Sequence, residues 1–377
     1  MKEKIKTAIL GCGKVGHIHA RGLAAIPESA FTAVWSRTPS KAREFAAVYG
    51  VRAYEDIGEM VRREGIGAAI VCTPHPHHAS AAIPALQAGA HVLVEKPLAA
   101  SLADCDAMIA AARAAGRQLG SISQRRWYAP VRRVKDAIDA GKIGRPVLGT
   151  VHMLGWRDRK YYDSDAWRGT WKDEGGGVLV NQAPHQIDIL QWYMGPIDEV
   201  FGYWGNLNHP YIEVEDTGLA LIRFRNGGLG NIVVSNAQNP ALFGKVWVHG
   251  ENGATVGVQT DGGAMFIAGM STITEPPLND RWTVPGEEQS LAQWQKDDAD
   301  EFARVNATEH YHHLQTQDFL HAIQEGRDPQ VTAEEGRKTV EIFTAIYRSQ
   351  RDGRPVRFPL APEQGRTDFD GRMTVAR

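Results

Sequence analysis

The sequence predicts an α/β fold: an N-terminal doubly wound parallel sheet, then a C-terminal α+β domain with a large, mostly antiparallel open sheet. Three observations predict it. Short apolar runs alternate with amphipathic helical patterns through the first third of the chain. A glycine-rich loop follows the first of these runs. From Val147 onward the pattern changes to long strand-like stretches joined by Gly/Asn turns. A chain of 377 residues can bury more than one core, and the expected division is 1–125, 126–360 and a polar tail at 361–377.

The elements of the first domain follow in order. The run KTAILG leads into an alanine-rich helix at about 15–25, then FTAVWS, then the helix PSKAREFAAVYG. A helix near 56–63 precedes AAIVCT, and HASAAIPALQAG, HVLVEK and a helix from about Leu102 to Ala115 complete the set. Continuous apolar strands spaced by helices mark a parallel sheet covered on both faces. In the second domain PVLGTVHMLGW, DEVFGYWGNL, TGLALIRFRNGGLGNIVVSN and GKVWVHGENGATVGVQT read as strands, with NGG and ENG as hairpin turns. Helices at about 310–325 and 333–350 are expected to return towards the first domain. The tail is expected to be mobile or an arm onto a neighbouring subunit.

Composition narrows the function. Forty-two basic residues against forty-four acidic ones give a formal charge of -2, which points to neither nucleic acid nor an anionic membrane as partner. Cys12, Cys72 and Cys105 are odd in number and widely spaced, so neither a disulfide framework nor a CxxC metal site is expected. No apolar run is long enough to span a bilayer, and MKEKIK leads directly into the first strand; a cytoplasmic enzyme or regulator is therefore expected.

The glycine loop is the first chemical signal. Gly11, Cys12, Gly13, Lys14, Val15 and Gly16 stand between a strand and a helix, where a GxGxxG pattern cradles a dinucleotide pyrophosphate. Gly11 permits the turn, Gly13 the approach of the phosphates, and Gly16 close helix packing. Where a carboxylate would grip the ribose 2′-hydroxyl after the second strand, the chain has Ser36, Arg37 and Thr38. A hydroxyl and a guanidinium suit a 2′-phosphate, so the cofactor is NAD or NADP with a lean towards NADP.

Taken in order with this loop, CTPHPHH (72–78), EKP (95–97) and GGGVLVNQAPHQID (175–188) resemble the Gfo/Idh/MocA family of nicotinamide-dependent oxidoreductases. The resemblance covers nearly the whole chain and is weaker over 260–308 and after Pro359. It implies a Rossmann domain in which Cys72, Thr73, Pro74, His75 and His78 line the cofactor, with Glu95 and Lys96 at the same sheet edge. It also implies that Lys96 binds and polarises a substrate hydroxyl and that His185 accepts its proton, as an imidazole of pKa near ~6.5 can. Pro97 is expected to keep Lys96 extended towards the cleft.

Asn181, His185 and Asp188 have i, i+4 and i+7 spacing, which predicts a single helix face for all three. Asn181 stands where many members of the family have Asp; it cannot take a proton, so it is expected only to orient substrate. Trp167 and Arg168 match a family element expected to reach cofactor and substrate. The surrounding GWRDRKYYDSDAWRGTWK supplies aromatic faces, Trp156 among them, for a sugar, and Arg157, Arg168 and Lys172 for an anionic substituent. Arg125, His310 and His313 complete the expected substrate contacts, and no metal site is expected.

The leading expectation is an NAD(P)-dependent dehydrogenase of a sugar, glycoside or cyclitol hydroxyl. An NAD-dependent, redox-neutral glycoside hydrolase and a non-catalytic cofactor sensor are the alternatives. A homodimer or homotetramer formed through the C-terminal sheet is what the resemblance implies.

Overall fold

The computed structural model describes residues 3–263 and 270–363, so most of the tail expected at 361–377 lies outside the described residues. The chain forms two compact units. One is built from the chain up to Gln124 together with Thr308–Arg337, and the other from most of the remainder.

In the first unit β1 (Ile5–Leu10), α1 (Lys14–Ala25), β2 (Ser29–Trp35), α2 (Pro39–Tyr49), β3 (Arg52–Tyr54) and α3 (Ile57–Glu64) alternate. Then follow β4 (Ala68–Val71), α4 (His78–Gln87), β5 (His91–Val94), α5 (Leu102–Ala115) and β6 (Leu119–Ser121). The strands order as β3-β2-β1-β4-β5-β6, and every pairing is parallel. Strand order reverses between β1 and β4, the position where ligands lodge at the carboxyl edge of such sheets. Helix boundaries follow local chemistry: Asp56 and Ser101 accept first-turn N–H groups of α3 and α5, and Gly65 and Gly116 end them in the left-handed conformation.

The second unit begins with α6 (Ala129–Asp139), β7 (Pro146–Leu154), α7 (Arg159–Asp163), α8 (Val178–Asn181) and α9 (Pro184–Met194). It continues through β8 (Ile197–Gly205), β9 (Thr217–Phe224), β10 (Leu229–Ser235), β11 (Phe243–Gly250), β12 (Thr255–Asp261), β13 (Leu278–Trp282) and α10 (Ser290–Phe302). The chain closes with α11 (Ala307–Glu325), α12 (Ala333–Asp352) and β14 (Val356–Arg357). Its eight-stranded sheet has the order β13-β12-β11-β7-β10-β9-β8-β14. It is antiparallel except where β10 runs parallel to β7. Helix α9 covers one face, and Gly149 lets it come close: a Cβ there would stand 2.7 Å from both Leu190 and Met194.

The expected return of the 310–325 helix is seen in the core of the first unit. Phe319 and Leu320 of α11 are buried with Ile9, Val34, Phe45 and Leu93. Among the described residues no helix is long and apolar enough to cross a membrane.

Candidate active site

The glycine loop sits directly on the end of β4. Gly11 has φ +115, and a Cβ on it would lie 2.7 Å from the backbone carbon of Cys72. A Cβ on Gly16 would lie 2.4 Å from the Gly11 carbonyl oxygen. Gly13 differs from both. Its φ of -91 suits any residue, and a Cβ there meets nothing within 4 Å. No side chain caps α1 at Gly13, so the helix N-terminus opens onto clear space. This arrangement fits a dinucleotide: Gly11 and Gly13 would form the cradle, and the first turn of α1, from Lys14 and Val15, would receive the pyrophosphate. Burial pushes the Cys12 thiol up to about 12, so it stays protonated at neutral pH and lines the loop without acting as a nucleophile.

At the end of β2, Arg37 is exposed and its Nη1 lies 2.9 Å from His77 Nε2, which joins the loops after β2 and β4. The Thr38 N–H donates to Ser36 Oγ at 3.3 Å.

In the loop after β4, His78 is fully buried, with both ring nitrogens turned to backbone carbonyls. Its Nε2 lies 2.9 Å from the Thr73 carbonyl and its Nδ1 3.0 Å from that of Pro97. It therefore ties the cofactor loop to the turn after β5 from behind. Burial lowers its basicity, despite those carbonyls.

That turn carries Glu95 and Lys96, and the Lys96–Pro97 peptide is cis. Lys96 is half-buried. Glu95 turns inward: Oε1 lies 2.7 Å from His19 Nε2, and Oε2 accepts the Lys96 N–H at 3.0 Å. Burial opposes ionisation of Glu95, but the His19 hydrogen bond and the neighbouring His19, His312 and Lys96 outweigh it and hold the carboxyl at about 2.

Sequence reasoning missed His19 and His312. His310 and His313 were the expected functional residues of α11, but His312 reaches Glu95, its Nε2 3.9 Å from Oε1. His313 instead lies against Gly22 of α1, where a Cβ would stand 2.4 Å from its ring, and His310 is half-buried beside Tyr311. The signal was available. His312 is seven residues before buried Phe319, so both belong to the inward stripe of the helix.

In the second unit the expected single helix face is broken. Pro184 has no N–H to continue the ladder, so α8 ends at Asn181 and α9 starts anew at Pro184. His185, buried, falls in the first turn of α9. Asp188 is held by Arg126 at 2.6 and 2.8 Å inside the unit, a structural pair. Asn181 donates from Nδ2 to Glu174 and, at 3.1 Å, to the Tyr161 hydroxyl.

Tyr161, which the sequence did not single out, is the hub of the aromatic–cationic segment. Its hydroxyl also receives Arg168 Nη1 and Gln182 Nε2, the latter at 2.8 Å. The Arg168 guanidinium lies 4.2 Å from the Tyr161 ring centre and 4.4 Å from that of Trp167. Arg157 is buried over the same tyrosine at 5.2 Å, and its Nη1 donates to the Trp156 carbonyl. Trp156 is half-buried and Lys172 exposed. Arg125 is engaged by Asp261, with Thr260 at 3.1 Å, so its charge is already balanced by a protein carboxylate.

The triple glycine wraps a buried carboxyl that sequence reasoning also missed. A Cβ on Gly177 would lie 1.8 Å from the Glu215 carbonyl oxygen, and the Glu215 side chain accepts the N–H groups of Gly177 and Leu179 at 2.9 and 3.0 Å. Burial pushes Glu215 up to about 7 in spite of these donors. The folded protein therefore holds an extra proton between the ordinary 4.5 and about 7, and stability falls as pH rises through that window. We expect a loss of about 3 kcal/mol, levelling above pH 7, because each tenfold difference in proton affinity is worth about 1.4 kcal/mol. Urea unfolding at pH 5 and pH 8 checks this: Glu215→Gln should flatten the slope, and an unchanged slope refutes it.

Known proteins share this architecture. The model described as "Oxidoreductase family, NAD-binding Rossmann fold" matches residues 5–122, and that of the GFO/IDH/MocA C-terminal domain matches 131–256. The scyllo-inositol 2-dehydrogenase (NAD(+)) of Bacillus subtilis is 26% identical over 96% of this chain and 98% of its own. The 1-carboxy-3-chloro-3,4-dihydroxycyclo hexa-1,5-diene dehydrogenase of Comamonas testosteroni is 35% identical, over 52% of this chain and about half, 49%, of its own length. Among solved structures, the WlbA dehydrogenase of Bordetella pertussis, in complex with NADH and UDP-GlcNAcA, superposes with a TM-score of 0.84. It is 30% identical and covers 96% of this chain and 99% of its own.

Proposed function

Because the chain belongs to the Gfo/Idh/MocA family of NAD-binding oxidoreductases, we propose that it oxidises a secondary hydroxyl of a sugar, glycoside or cyclitol. The observation that carries this reading is the placement of Lys96. It follows β5 directly, at the same carboxyl edge of the sheet as the Gly11–Gly16 loop and the loop after β4. The dinucleotide, when bound, supplies the hydride acceptor. The chain does the rest: the Lys96 ammonium binds the hydroxyl oxygen, and the His185 imidazole takes its proton as the carbonyl forms. Asn181, anchored by Glu174 and Tyr161, orients substrate and carries no proton.

An anionic sugar derivative suits the Arg157–Tyr161–Arg168 cluster, and the WlbA relative was solved with UDP-GlcNAcA. The deciding experiment incubates the protein with myo-inositol, scyllo-inositol and UDP-GlcNAcA, with NAD and with NADP. Both reduced cofactor and released sugar are followed. Net reduced cofactor is expected. Release of sugar without it would replace the dehydrogenase by a redox-neutral hydrolase, and neither product would refute both. Arg37→Ala should weaken NADP more than NAD, since it removes the cation at the end of β2; equal effects would refute the role of Arg37.

The open face of the eight-stranded sheet is the subunit interface in this reading. Tyr203 and Leu219 are paired across β8 and β9, and Leu221 and Leu229 extend the patch; all four are exposed. Isolated apolar side chains need no explanation, but a contiguous patch on a regular sheet does. Sedimentation equilibrium should give a dimer or tetramer, and Leu221→Lys should shift it towards monomer. A monomeric wild type would refute the interface. The three free cysteines fit action in the reducing cytoplasm.

A further inference from the structure

We propose that Glu95 is the positioning residue for Lys96, tying the lysine backbone to α1 through His19. The inference rests on the reading of Lys96 as the group that meets the substrate hydroxyl.

The geometry is that of a two-point anchor. The last sheet bond of this segment is from Glu95 N–H to the Val71 carbonyl at 3.0 Å. One residue later the ladder stops, and the Lys96 N–H is received by Oε2 of Glu95 instead. Oε1 faces the two histidines. A carboxylate only accepts, so His19 must donate from Nε2. Its Nδ1 is then left buried with no hydrogen-bond partner among the described residues, at a cost of about 1–3 kcal/mol. An apolar residue at position 19 would avoid that cost, so the bond to Glu95 is what the histidine serves.

His312 stands beside this pair, its Nε2 3.9 Å from Oε1, and does not bond to it. Its Nδ1 donates to the Thr308 carbonyl at 3.0 Å, which leaves Nε2 facing Glu95. Burial lowers His312 to about 4, so the ring is neutral at pH 7. Half-buried Cys72, its thiol raised well above the usual range, and buried His78, its basicity lowered, also feel Glu95 and are neutral at pH 7. His19 lies on the helix that begins at the glycine loop. The anchor therefore sets Lys96 relative to the helix that receives the dinucleotide phosphates. A displacement of about 1 Å at a reacting group costs on the order of 100-fold in rate, which gives the device its value.

The test uses the whole protein with NAD and whichever of myo-inositol and UDP-GlcNAcA supports turnover. Glu95→Gln keeps the shape but offers one acceptor oxygen where two donors must be met. We expect kcat to fall about 10- to 100-fold with cofactor affinity within about 3-fold, the usual size of an effect exerted through a neighbouring group. Native-state hydrogen exchange at the Lys96 amide should accelerate at least tenfold. His19→Leu should lose a similar part of kcat, and His19→Gln, whose side-chain amide can donate, should restore most of it. Should His19→Leu fail to fold, the isosteric Glu95→Gln decides alone. Wild-type kcat and wild-type exchange in Glu95→Gln would overturn the proposal. So would a stoichiometric metal ion lost in that variant, because His19, Glu95 and His312 would then be ligands. Lys96→Ala, run in parallel, separates the two readings. If it keeps full kcat, the role of Lys96 fails; if it loses kcat while the Glu95 and His19 variants do not, only the anchor fails.

Discussion

Lys96→Ala and His185→Ala are each expected to lower kcat by about 10²–10⁴-fold, the range contributed by a positioned acid–base group. Dinucleotide affinity should stay within a few-fold, because neither side chain belongs to the Gly11–Gly16 cradle. The two losses should not add. Both residues are assigned to one proton transfer, so the double variant should be scarcely worse than the poorer single one. Steady-state kinetics with calorimetric titration of NAD and NADP reads both quantities. Wild-type turnover in His185→Ala would remove His185 from the chemistry, and fully additive losses would show that the two residues do not act as a unit.

Gly13→Val is expected to abolish dinucleotide binding, by about 100-fold or more, while leaving the fold intact, since a side chain would fill the space that the pyrophosphate needs. The structure sharpens this expectation. A Cβ at Gly13 meets nothing within 4 Å and its backbone suits any residue, so thermal stability should barely change. Gly16→Ala is the contrasting case: its Cβ would stand 2.4 Å from the Gly11 carbonyl oxygen, and about 1–3 kcal/mol of stability should be lost through overpacking. Calorimetry and thermal melts of both variants separate a ligand effect from a folding effect. Unchanged NAD affinity in folded Gly13→Val would rule out the loop as the pyrophosphate site.

Much of the first unit was legible because its signals are local. Short apolar runs at 8–10, 68–71 and 92–94 mark β1, β4 and β5, since a parallel strand covered on both faces has no polar side to show. The glycine pattern was legible because backbone contacts that exclude a Cβ leave glycine as the residue that fits. The short strands β3 and β6, three residues each, were not, because so few residues carry no period.

The sequence by itself determined the two sheets, the glycine cradle, the EKP turn and the family. It also named candidate site residues without showing which of them are held by partners elsewhere in the fold. Only the tertiary structure decided that His78 faces inward, that Pro184 breaks the helix between Asn181 and His185, and that Asp188 answers Arg126. The same holds for Glu95, bonded to a residue 76 positions earlier in the chain and beside one 217 positions later. The reason is physical. Periodicity and glycine spacing record what a residue does to its own neighbours along the chain. A buried charge is defined by its partners across the fold, and those partners are brought to it only when β5, α1 and α11 pack together.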